Sequence, residues 1–112
     1  MNSLSNKVQL IGNLGADPEI VELTNGSKVA KLSLATTVRY KNKQGEQVTN
    51  TQWHKVVAYN AVAGIIEQYV KKGNKIGVEG KLNNRSWEDK EGIRRYMTEI
   101  VVNDLLLLGD KS

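Results

Sequence analysis

The chain has 112 residues, 16 of them basic and 12 acidic, for a formal net charge of +4 and a pI near 9.4. That length fits one domain, and an apolar fraction of 39% with a charged fraction of 25% is ordinary for a globular protein. No cysteine is present, which excludes disulfides and thiolate metal sites, and no apolar run approaches the roughly 20 residues of a membrane-spanning helix.

In chain order, Met1 to Asn6 lacks the charged start and apolar stretch of a signal peptide, so a cytoplasmic domain is expected. Lys7 to Leu14 reads as a first strand, with Val8, Leu10 and Leu14 at period two. Asp17-Pro18 breaks it, because proline cannot donate to a ladder. Glu19 to Leu23 resumes as a short strand and ends at Asn25-Gly26, a strong hairpin signal. Lys28 to Tyr40 is a long strand, and the polar stretch Lys41 to Gln47, centred on Gly45, reads as a mobile loop. Val48 to Tyr59 follows as a strand. Asn60 then stands where an N-cap is expected, before a helix over Ala61 to Val70.

Val62, Ile65, Ile66, Tyr69 and Val70 give that helix an apolar stripe. Lys71 and Lys72 suit its negative end, and Gly73 its termination. Lys75 to Trp87 is strand again, Asp89 to Gly92 a turn, and Ile93 to Leu108 a final long strand or bent pair. One helix between the third and fourth principal strands points to an all-β, five-stranded Greek-key barrel of the OB type, or to another small barrel or roll.

A net positive charge favours a polyanionic partner only where the charges cluster. Only six aromatics occur, four Tyr and two Trp. On the Lys75–Trp87 strand, Lys81, Asn83, Arg85 and Trp87 share one parity, while Ile76, Val78, Gly80 and Leu82 share the other. The apolar set is expected inward, which turns Trp87 outward beside Arg85. That is a π-face beside a cation, the pairing that exposed bases exploit. Trp53, Lys55 and Tyr59 form a second such row, with Val56, Ala58 and His54 on the core parity. Tyr40 shares the parity of Leu32 and Leu34 and reaches the outer face only through a twist or bulge. Tyr69 and Tyr96 read as structural.

Five segments carry a resemblance. Residues 6–19 (NKVQLIGNLGADPE), 34–36 (LAT), 51–57 (TQWHKVV), 78–82 (VEGKL) and 95–103 (RYMTEIVVN) look like the signatures of the bacterial single-stranded DNA-binding proteins, in order and in the family's spacing. The resemblance implies an OB-fold over residues 1–108 that assembles as a homotetramer and wraps single-stranded DNA on the nucleoid. It implies base stacking on Tyr40, Trp53, Tyr59 and Trp87. Lys55, Lys72, Lys81, Arg85 and Arg95 are expected along the DNA backbone, with Lys41 and Lys43 reaching it from the loop.

Tyr40 and Tyr59 replace a tryptophan and a phenylalanine of the best-known members, and Ala61 a common lysine. Residues 109–112 make a short end. Many members continue into a flexible linker and an acidic tip that recruits replication and repair proteins, so that role is not carried over here.

Two other classes compete. A nuclease needs clustered carboxylates for a metal or a placed acid and base, whereas His54 is the single histidine and Glu88, Asp89 and Glu91 fall in a turn beside Lys90. No enzyme activity, catalytic residue, metal or cofactor is expected. An OB module for RNA is distinguished by competition between DNA and RNA of one sequence. Finally, Leu105 to Leu108 are apolar at both parities, too many for one side of a strand, which points to a closed homo-oligomer with a dimer as the smaller alternative. Leu4, Lys7, Ile11 and His54 are the expected interface residues.

Overall fold

The computed structural model describes residues 6–109, and Leu4 lies outside them. Six strands and one helix follow in the order β1 (Val8–Leu14), β2 (Glu19–Glu22), β3 (Lys28–Lys41), β4 (Gln47–Tyr59), α1 (Asn60–Tyr69), β5 (Lys75–Glu88) and β6 (Arg94–Leu107). The strands lie in the order β1-β5-β6-β4-β3-β2, and β1 also pairs with β3, which closes the sheet on itself. β1 and β2 are two pieces of one bent strand, interrupted at Asp17-Pro18. With that pair counted once, the architecture is a five-stranded OB barrel with a single short helix.

Alternation sets the core. β1 places Leu14 inside, β3 Leu32 and Leu34, β4 Val56 and Ala58, β5 Ile76 and Val78, and β6 Ile100 and Val102. Burying each of the larger side chains contributes roughly 1.5–3 kcal/mol. The helix closes one mouth of the barrel. Its buried face is Ala63 and Ile66, continued by Val70, and a small residue at 63 lets the helix approach closely. The expected stripe was too wide: Ile65 and Tyr69 are exposed, because the mouth accommodates only the centre of that face.

Asn60 also departs from expectation. It adopts φ 53°, a left-handed conformation that Asn tolerates better than most residues, and Tyr59 takes the N-cap position without a side-chain hydrogen bond. The Asn60 Oδ1 instead accepts from the Lys28 N–H at 3.4 Å, tying the helix start to β3. Lys71 and Lys72 fall beyond the last turn, and the Lys72 N–H donates to Asp17 Oδ1 at 2.8 Å.

Two hairpins outrun the barrel. β3 and β4 stay in register from Val29↔Tyr59 to Lys41↔Gln47, and β5 and β6 from Gly80↔Val102 to Glu88↔Arg94. Beyond the core both faces of these arms are largely exposed. Leu82 and Tyr96, expected inside from their parity, are therefore outside, Tyr96 at 77% exposure. The stretch read as a loop shrinks to a short tip in which Asn42 Oδ1 accepts from the N–H groups of Gln44 and Glu46.

Closure depends on Gly12. A Cβ there would lie 2.2 Å from the Ala35 carbonyl oxygen, a backbone atom that cannot step aside. Gly12→Ala should force β1 off β3 and destabilise the fold by about 1–3 kcal/mol, the usual cost of overpacking. Chemical denaturation checks this, and an unchanged midpoint would show that the crossing is not that tight.

Candidate nucleic-acid interface

Cross-strand pairing decides which outward residues share a surface. Ala35 pairs with Trp53 and Ser33 with Lys55 across β3 and β4. Val57 pairs with Val101 in the parallel β4–β6 ladder. Lys81 pairs with Val101, Asn83 with Glu99, Arg85 with Met97 and Trp87 with Arg95 across β5 and β6. Paired residues project to the same side of a sheet. The two rows singled out in the sequence, Trp53-Lys55-Tyr59 and Lys81-Arg85-Trp87, therefore belong to one outer face.

A groove of about 580 Å³ runs along that face, with Lys55, Val57, Tyr59, Arg85, Met97 and Glu99 among its walls. Trp53 and Trp87 stand outside the groove lining. Trp53 is 61% exposed, an unfavourable position for an indole with no partner to cover it. Its ring is seated on Gly15, where an added Cβ would fall 2.4 Å from Trp53 Cζ3. Trp87 sits on the β5–β6 arm with the Arg85 guanidinium 5.8 Å from its ring centre.

The remaining expected residues are placed less uniformly. Tyr40 is exposed, but β3 reaches it without a bulge, so it lies on the opposite parity from Trp53 and pairs with Val48. It is solvent-facing because the arm has left the barrel, not because the strand changes face. Lys41 ends β3 and Lys43 lies in the tip, both exposed. Lys72 follows α1 and Lys81 lies on the outer face of β5, neither lining the groove. Arg95 Nε donates to Asp89 Oδ2 at 2.9 Å. Asp89 also accepts from the N–H groups of Glu91 and Ile93, and the Ile93 bond followed by Arg95 holds its carboxyl below the ordinary value. That carboxylate orders the β5–β6 turn.

Sequence reasoning missed Gly15, Met97 and Glu99. The last two were legible as the parity opposite Ile100 and Val102. The seat under Trp53 left no signal in the pattern.

Among the expected interface residues, Ile11 is 59% exposed and faces Gly77 of β5, which in turn pairs with Leu106 of β6, also 59% exposed. Lys7 makes a 3.6 Å ion pair with Glu79. His54 is half-buried, with its Nε2 2.9 Å from Thr36 Oγ1.

A family model described as the single-strand binding protein family matches residues 5–108. The chain belongs to that family. It is 47% identical over 108 residues to single-stranded DNA-binding protein 1 of Xylella fastidiosa, covering 96% of this chain and 79% of that one. A relative of the same name from Chlorobaculum tepidum is 46% identical over 108 residues, covering 96% and 67%. Among solved structures, a Plasmodium falciparum SSB in complex with ssDNA superimposes with a TM-score of 0.84 at 37% identity, covering 96% of this chain and 99% of that one.

Within this family member, the Gly15 seat is open to a direct check. In a Trp87→Phe background Trp53 is the only indole, and Gly15→Ala should displace it and shift its emission. Unchanged emission would place the ring elsewhere.

Proposed function

We propose that this chain binds single-stranded DNA without strong sequence preference and protects it during replication, recombination and repair. The observation that carries the reading is the outer face on which Trp53, Tyr59 and Trp87 alternate with Lys55, Lys81 and Arg85. Bases of any identity offer a π-face, so stacking is tolerant of sequence, while lysines and arginines track the phosphates. Tyr40 offers a further exposed aromatic on the other face of the β3–β4 arm, within reach of a strand that passes around the arm, with Lys41 and Lys43 near its tip. Lys72 and Arg95 add positive charge along the backbone path. The protein acts by binding rather than by catalysis, in the cytoplasm on the nucleoid.

The same reading includes a closed homo-oligomer, a tetramer by family habit. Ile11, Gly77 and Leu106 leave an apolar strip on the outer side of β1, β5 and β6. Leu107 and Leu108 are exposed near it in sequence. Covering each such side chain with another subunit contributes roughly 1.5–3 kcal/mol.

Trp53→Ala and Trp87→Ala should each weaken oligo(dT) binding by roughly 1–3 kcal/mol. Lys81→Ala should lower the slope of log K against log salt by about 0.7, the value per phosphate contact on a single strand. Full retention of affinity in both tryptophan variants would refute the stacking surface. Sedimentation equilibrium at micromolar protein should give a multiple of the chain mass, and a species of 12.4 kDa would rule out the assembly.

A further inference from the structure

Glu99 is the one charged residue that is buried among the described residues, at 6% exposure. It lies on the wall of the groove proposed to take a polyanion. A carboxylate there repels phosphate, so its position calls for a reason. Its partner is Arg85, whose Nε lies 3.3 Å from Glu99 Oε1. The two side chains differ sharply in environment: that of Glu99 is 7% exposed and that of Arg85 56%. The guanidinium therefore spans from the groove wall to solvent, and there it meets Trp87 at 5.8 Å.

Three consequences follow from that geometry. Arg85 is already neutralised, so a phosphate offered to it must compete with a carboxylate that would be left buried and unpaired. A planar guanidinium whose Nε lies 3.3 Å from a buried carboxylate is favoured at that edge of the groove, and it offers the neighbouring indole a flat cationic face that a lysine ammonium cannot reproduce. Finally, the pair as a unit is close to neutral, so this part of the groove wall offers no net attraction to phosphate and is left to the uncharged bases.

We propose that Glu99 is a positioning residue that holds Arg85 as part of the stacking platform with Trp87 and withholds it from the DNA phosphates. Arg85 then differs in role from Lys81, two turns of the pleat away on the same face. The inference rests on the single-strand-binding reading above, and it changes the expected role of Arg85 from backbone contact to base contact.

Salt dependence of oligo(dT) binding tests it, because a purely structural carboxylate would not alter the number of phosphate contacts. Glu99→Gln releases Arg85 to the phosphates and should steepen the slope of log K against log salt by about 0.7. The double variant Glu99→Gln/Arg85→Gln removes both charges and should return the slope to that of the unmodified protein. An unchanged slope in the folded single variant would overturn the proposal. So would a double variant whose slope is shallower than the unmodified protein by about 0.7, since Arg85 would then have been a phosphate contact all along. Should Glu99→Gln fail to fold, the double variant, which leaves no unpaired charge, decides alone. Failure of the unmodified protein to bind oligo(dT) would instead refute the underlying reading, so the two failures are distinguishable.

Discussion

Strand β1 is hydrogen-bonded on two sides, over six residue pairs to β5 and at Asn13 and Leu14 to β3. This double pairing turns an open sheet into a barrel, and it fixes which parity of every other strand is inside. Because β4, β6 and β5 are then locked in register, their outer residues fall into shared rows without any loop having to deliver them. The candidate interface is the remainder left by the core. A side chain placed on a closed sheet loses little further freedom when a ligand arrives, which favours rigid aromatic surfaces over flexible ones.

The second determinant is strand length. β3 and β5 run for 14 residues each, but their buried positions are confined to the first half. The excess emerges as two hairpin arms, each closed by one polar side chain that accepts two backbone N–H groups, Asn42 at one tip and Asp89 at the other. Trp87 and Tyr40 ride on these arms, whereas Lys55 and Tyr59 belong to the barrel wall. Exposed aromatic side chains are thereby spread across rigid and projecting parts of one sheet.

Most of the fold was legible because period-two patterning and turn chemistry agree at nearly every boundary. Every strand and the helix lie where the pattern puts them to within about two residues. The misplacements share one cause. Parity tells which side of a strand a residue occupies but not where the barrel ends. By parity alone Leu82 and Tyr96 belong to the core and Tyr40 needs a twist or bulge to reach solvent, whereas all three are exposed because the core stops short of them. Tyr69 and Ile65 erred in the analogous way on the helix, where the stripe is wider than the mouth it covers. At the site, the aromatic and basic rows were visible from alternation. Glu99 carried no warning in its composition, since a lone carboxylate on an outward parity ordinarily faces water. It is buried in the groove wall and paired there with Arg85 of the neighbouring strand, a diagonal contact that depends on the β5–β6 register and is invisible until that register is known.

That register also joins two surfaces that sequence treats separately. The outer parity of β5 begins at Gly77, beside Ile11 and Leu106, passes Glu79 with its partner Lys7, and continues through Lys81 to Arg85 and Trp87. One strand therefore carries an apolar strip at its start, a single ion pair at the boundary, and a basic aromatic row at its end. The β-bulge at Glu79/Gly80 falls between these halves. It lets β6 present Val102 and Leu105 to the core on either side of the irregularity, although the two differ in parity. Without that extra residue, an apolar side chain on one side of the bulge would be turned outward and the rows would lose alignment. The irregularity in the ladder thus permits one continuous strand pair to pack the core at both ends while presenting an apolar surface at one end and a cationic, aromatic one at the other.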